Sequence, residues 1–497
     1  MKSRPGPSRL RPSRLRPSLA VAATALLTAA TLASGAAPAA AQDAPPQSVL
    51  RHRALHGASI EIDPTFPYYK DRSPDSIADE IARNGYTAVH YFVVNENQVD
   101  GELVAALRER GIAVWALTLA FGSYTVEGYP AEWPSWEQKL LSASQPGFHS
   151  FSPWSADYLA FKKKSLGDLI KKYPFDGIEL AESFLPDWNG FTSGFYGDLG
   201  PLAEAAFKAE YGLDMPDFTD PSSPRYYKTD TARYAKWVDF RVAGVNRFLG
   251  DLVRGEGGLR SARPGVLVGS WSVAVDAGPD SVRLERELQA VDAPAMIAAV
   301  RPDIHFIQTN WPDWLKPDLA PDYIKGYQPY VDEIRRSNPA LPLGVQNDIG
   351  STTGTARDRA WIGAFSDTAS SMGFSTWTGY EFSLAKAMYT EAPEVRAIRC
   401  DRAAGTVEVS FQKRIDAASA ARPDSFTVRT PAGRPHGVLG VEVDGNIAKL
   451  RLDRLPRGRF ELAVRHVSDT PSLWVFNKTQ QPNTVEPGYT AEGRCTG

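Results

Sequence analysis

The sequence predicts an α/β protein: an eight-stranded parallel (β/α)8 TIM barrel followed by a small all-β sandwich. Three observations carry this. Between residues 55 and 390 short apolar segments alternate with amphipathic helical ones. Eight of those segments read as strands, the number that closes a parallel barrel. After about residue 395 the apolar spacing drops to a period of two with short turns, the pattern of antiparallel strands in a sandwich.

The amino end reads as an export signal over residues 1–41. Lys2 and the arginines at 4, 9, 11, 14 and 16 precede an Ala/Leu-rich run from Leu19 to Leu32, and a small-residue cleavage site ends at Ala41. The run is shorter than the ~20 residues that span a bilayer. No later segment is apolar enough to do so, so secretion without a membrane span is expected.

The strand candidates are His56–Ile62, Ala88–Val94, Ala113–Leu119, Gly177–Glu182, Val266–Trp271, Ile304–Thr309, Leu343–Gln346 and Ser375–Trp377. Between them, 76–84 and 102–110 read as helices that stop at Gly85 and Gly111, the residue type that best terminates a helix. Residues 158–172 and 234–253 show 3.6-residue spacing. A doubly wound sheet would announce a glycine-rich phosphate loop after its first strand. Here that strand ends Glu61-Ile62-Asp63-Pro64. The segments 120–157 and 183–233 are long and aromatic, and loops of that length are usually functional. The expected units are a barrel at 50–392, a sandwich at 396–470 and a tail at 471–497. Cys400 and Cys495 bracket the last hundred residues and are expected to pair in an oxidising compartment.

Composition narrows the chemistry. The 55 basic residues against 58 acidic ones give no charge excess for nucleic acid. Seven histidines with no H-x-H or H-E-x-x-H spacing speak against a metal site. Neither a G-x-S-x-G elbow nor a nucleotide-binding glycine loop occurs, so no cofactor is expected. Carboxylates at strand ends remain. Glu182 closes the fourth strand, Asp313 follows the sixth, Asp348 the seventh and Glu381 the eighth. Glu179 lies deeper in the fourth strand and reads equally as a functional group or as a structural one satisfied inside the barrel. Cleavage of a glycosidic bond needs two such groups, one to protonate the leaving oxygen and one as nucleophile or base. Glu182, Asp348 and Glu381 are the catalytic candidates.

Trp271, Trp311, Trp377 and Tyr380 cluster near strand ends, where ring faces can stack on sugars. His90, Asn95 and Asn310 could bond hydroxyls.

The line FDGIELAESFLP (175–186) resembles the fourth-strand signature of glycosidase-like (β/α)8-barrel families. YAKWVDFRVAGVNRFLGDL (234–252) is similar to a helix such barrels carry before strand five. The resemblance implies a glycoside hydrolase acting on a poly- or oligosaccharide, with Glu182 where those families place an acid. Ala181 departs from the pattern, since Asp is frequent there. That departure supports a rival, a carbohydrate-binding surface protein on an inactive barrel. The line VEVSFQKRIDAASAARPDSFTV (407–428), with KLRLDRLPRGRFELAVRHVSD (449–469), resembles bacterial immunoglobulin-like domains. That resemblance implies an accessory fold, without chemistry of its own.

Overall fold

Eight parallel strands close into a barrel: β1 (Gly57–Ile62), β2 (Ala88–Phe92), β3 (Ala113–Leu119), β4 (Gly177–Ala181), β5 (Leu267–Ala274), β6 (Ile304–Thr309), β7 (Leu343–Asn347) and β8 (Thr376–Tyr380). Each pairs with its sequence neighbour, and β8 returns to β1 through the register Ser59 to Thr378. The computed structural model describes residues 45–142, 147–347, 357–380, 390–473 and 481–495. The expected signal segment, Asp348, Glu381 and the side chain of Tyr380 lie outside the described residues.

Strands β3 and β5 are buried at every position, as a parallel sheet covered on both faces requires. Alternation sends one set of side chains inward, where Trp115 and Phe306 fill the interior. Glycine makes room for them. A Cβ at Gly177 would lie 2.3 Å from the Trp115 ring, and one at Gly344 2.4 Å from the Phe306 ring. The helix Gln47–Leu55 plugs the amino end of the barrel. Its Leu50 and Ala54 join the interior cluster, and Trp115 Nε1 donates to the Ala54 carbonyl at 3.1 Å.

The helices of the outer ring begin where the chain supplies a cap. Ser73, Asp100, Ser155 and Asp230 each accept a hydrogen bond from a first-turn amide. The helices over 74–83 and 101–109 end before Gly85 and Gly111, with φ of 86° and 76°. On the outer face of β5 and β6, His305 is held between the hydroxyls of Ser270 (2.8 Å) and Ser272 (2.9 Å). Burial pushes its pKa down to about 3, so the ring is neutral and ties the two strands by one donated and one accepted bond.

Two four-stranded antiparallel sheets follow: β9 (Val395–Asp401), β10 (Thr406–Phe411), β14 (Ile447–Leu452) and β13 (Val438–Asp444) in one; β12 (Pro435–His436), β11 (Phe426–Arg429), β15 (Gly458–Val464) and β16 (Thr490–Cys495) in the other. They enclose an apolar core of Val407, Val409, Phe411, Phe426, Leu450 and Leu462. The expected tail is corrected in part: β16 pairs with β15 from Gly458–Cys495 to Ala463–Thr490. A Cys400–Cys495 disulfide joins β9 to β16 and so ties the two sheets together. Closing 95 residues of chain contributes roughly 4–5 kcal/mol in the chain-entropy account.

The sheets dock on the barrel through buried polar contacts. Arg72 and Glu80 form an ion pair at 2.7 Å with both side chains buried. Tyr68 also donates to Glu80 at 2.6 Å, and its oxygen accepts from the Arg414 amide at 2.9 Å. Asn446 donates to Asp79 at 3.0 Å and accepts from Arg72 at 3.1 Å. Arg72→Ala would strand the Glu80 carboxylate. Loss of one partner of a buried pair costs about 3–5 kcal/mol, and urea unfolding of the full chain should show a loss of that size. A change under 1 kcal/mol would mean the interface is hydrated and weak.

Candidate active site

The carboxyl end of the barrel is opposite the helical plug, and the two long aromatic segments build its wall. A shallow cleft opens there, lined by Phe121, Gln138, Phe148 and Ser150 from the segment after β3, and by Glu182, Phe184 and Pro186 from the segment after β4. Strand alternation would send Glu182 outward with Leu180. Instead the chain leaves strand geometry: Glu182 has φ 49°, in the left-handed region rarely used by non-glycine residues. Such a conformation costs on the order of 1–3 kcal/mol and persists where surrounding structure enforces it. Here Ser183 donates to the Leu180 carbonyl at 2.7 Å, and the Leu185 amide donates to the Gln289 carbonyl at 2.9 Å. Phe184 stacks on Trp271 with ring centroids 5.9 Å apart.

Beneath the cleft lies a polar network inside the barrel. Glu179 is fully buried and hydrogen-bonded on both oxygens, to His90 Nδ1 at 2.5 Å and Gln346 Nε2 at 2.8 Å. Gln346 accepts from Trp271 Nε1 at 2.6 Å, and His90 Nε2 meets Thr378 Oγ1 at 3.3 Å. The network links β2, β4, β5, β7 and β8.

Against the sequence reading, Glu182 alone of the proposed catalytic residues is seen, and it lines the cleft. Most of the binding candidates are engaged by the scaffold. His90 is 1 % exposed and committed to Glu179. Trp271 is buried and supports Phe184 from below, so it has no free face. Trp377 packs in the outer layer with the helices, because β8 alternation turns Thr376 and Thr378 inward. Asn95 builds its own turn by accepting from the Asn97 amide at 2.9 Å. Asn310 caps Trp311 and donates to Gln289 at 3.0 Å. Trp311 is half-buried and donates from Nε1 to Asp187 at 3.2 Å, across the mouth from the β4 loop to the β6 loop. Asp313 is buried and fully engaged by the Asp276 amide, Tyr327 and Lys316.

Two carboxyls escaped the sequence reading. Glu61 is half-buried on β1, on the same inward face as Ser59 but one layer nearer the mouth. Glu285 lies on the helix Ser281–Gln289 and is 1 % exposed, with neither oxygen hydrogen-bonded. Burial, and then the charge of Asp187, push its pKa well above the usual carboxylate range. Arg241, itself fully buried, holds this helix in place by donating to the carbonyls of Glu287 (2.8 Å) and Leu288 (3.0 Å). Among the described residues no group of three or more His, Cys, Asp and Glu is placed to hold a metal ion, and no helix is long and apolar enough to cross a membrane.

No family model and no curated protein matches the chain. Solved structures similar to it include a β-galactosidase from the Antarctic haloarchaeon Halorubrum lacusprofundi, at 13 % identity and TM-score 0.44 over 65 % of this chain and 52 % of that one. Gan42B, a GH42 β-galactosidase from G. stearothermophilus, gives 13 % identity and TM-score 0.49 over 67 % and 52 %. The glycoside hydrolase domain of PelA from Pseudomonas aeruginosa gives 10 % and 0.34 over 66 % and 96 %. The chain thus spans about half the length of the two β-galactosidases. The barrel itself is defined by its own strand order.

Glu285 makes stability depend on pH. Its folded pKa is raised, so the folded chain keeps a proton that the unfolded chain releases above about pH 4.3. Stability falls as pH rises from there toward the folded value, by up to about 1.4 kcal/mol per unit. Glu285→Gln removes this slope. Its stability relative to the native chain should rise between pH 5 and pH 8, read from urea midpoints. A difference that does not change with pH would show that Glu285 is ionised in the fold.

Proposed function

We propose that this chain is a secreted glycoside hydrolase that cleaves a poly- or oligosaccharide, with Glu182 as general acid. One observation carries the reading: a carboxyl at the end of β4, turned by a left-handed backbone into an aromatic-walled cleft at the barrel mouth. Barrel enzymes draw their reacting groups from such strand ends. Phe121, Phe148 and Phe184 supply an apolar wall that can receive the face of a sugar ring.

In this mechanism Glu182 gives its proton to the glycosidic oxygen as the bond to the anomeric carbon breaks. A second carboxylate meets the positive charge that develops there, either directly or through a water whose proton it takes. We assign that role to Asp348 or Glu381, which directly follow Asn347, the last residue of β7, and Tyr380, the last of β8. No step calls for a cofactor. Export follows from the basic and apolar amino-terminal segment.

Glu182→Gln keeps shape and removes the proton. Turnover of the natural polysaccharide should fall by ~10²–10⁴-fold, the usual worth of general acid catalysis. An activated aryl glycoside, whose leaving group needs little protonation, should lose less in the first step. Near-normal turnover of the polysaccharide by this variant would move the acid role elsewhere.

A further inference from the structure

Among the described residues three large apolar side chains are exposed, Val49, Leu439 and Tyr124, and only Tyr124 carries a ring. It is 45 % exposed and stands on two phenylalanines. Phe148 meets it edge-on at 4.9 Å, and Phe92, the last residue of β2, at 6.0 Å. Phe148 also lines the Glu182 cleft, so the platform and the cleft share a wall. Both phenylalanines, with Phe184, pack on the barrel's interior cluster.

The local chain is built to hold this arrangement. Gly122 and Ser123 pair with Ser150 and His149 in a two-residue antiparallel ladder. A Cβ at Gly122 would fall 2.1 Å from the Phe148 ring, so glycine here serves the close approach of that ring. The Ser123 hydroxyl donates to the Thr125 carbonyl at 2.5 Å and fixes the turn that presents Tyr124. Nearly half of the Tyr124 surface stays exposed although the ring is held by two others. The ring continues an aromatic wall that also carries Gln138 and Ser150. Rings interleaved with hydroxyl and amide groups match the two surfaces of a pyranose: an apolar face and equatorial hydroxyls.

We propose that Tyr124, carried on Phe92 and Phe148, is a carbohydrate-stacking platform that seats a pyranose ring of the substrate beside the Glu182 cleft. This rests on the glycoside reading for its ligand class. The test is affinity electrophoresis of the full chain in native gels cast with xylan, galactomannan, laminarin or galactan. In whichever gel retards the native chain, Tyr124→Phe should be retarded equally. Tyr124→Ala and Tyr124→Leu should bind about 3–10-fold more weakly, the worth of one aromatic stack. Thermal unfolding of each variant checks that the exposed site tolerates the change. Equal retardation of native and Tyr124→Leu chains would overturn the platform, as would a native chain retarded by none of the four. Glu182→Gln run alongside separates the two claims. Retardation that depends on Tyr124, with no sugar released by the native chain, would leave the platform standing and remove the hydrolase.

Discussion

Where β4 ends, one backbone constraint decides what the barrel mouth contains. Strand alternation commits Glu179 and Ala181 to the interior and would commit Glu182 to the helix layer. The left-handed φ at Glu182 breaks that alternation, and the following even-numbered residues Phe184 and Pro186 line the cleft with it. The strain is held by bonds from neighbouring elements: Ser183 to Leu180 within the turn, and Leu185 to the helix after β5. Arg241 in turn clamps that helix through its carbonyls. The geometry of one carboxyl therefore depends on a chain of contacts reaching a 24-residue helix on the outer ring.

Beneath it, the Glu179 network gives the mouth a fixed floor. A buried carboxyl is costly unless its oxygens are satisfied, and His90 and Gln346 satisfy both. Through Gln346 and Trp271 the network supports Phe184, and so reaches the cleft. The same logic accounts for the polar residues placed near strand ends. His90 and Asn310 already hold partners that keep the scaffold together.

Much of the scaffold was legible in the sequence. All eight barrel strands fall within a few residues of their expected places, because runs buried on both faces, such as AVWALTL, have no other stable use in a chain of this pattern. Glu179, open in the sequence between a structural and a functional role, is buried and hydrogen-bonded on both oxygens. The side-chain directions were harder to read. Trp377 was expected at the mouth, but its position in β8 alternates with Thr378 and faces out. Strand β16 was missed because Thr490–Cys495 has little apolar periodicity; its place is fixed by pairing and by the disulfide. Glu285 was missed for a physical reason. The helix buries Ser281, Glu285 and Gln289, a polar stripe at four-residue spacing, and such a stripe ordinarily marks the solvent face.

The account turns on whether this mouth breaks glycosidic bonds. The direct measurement is the release of new reducing ends when the purified chain is incubated with a broad panel of soluble polysaccharides. The account predicts release from at least one, at a rate proportional to protein concentration and abolished by heat unfolding. Binding to a polysaccharide with no reducing ends released from any would contradict it, and would make the barrel a carbohydrate-binding scaffold.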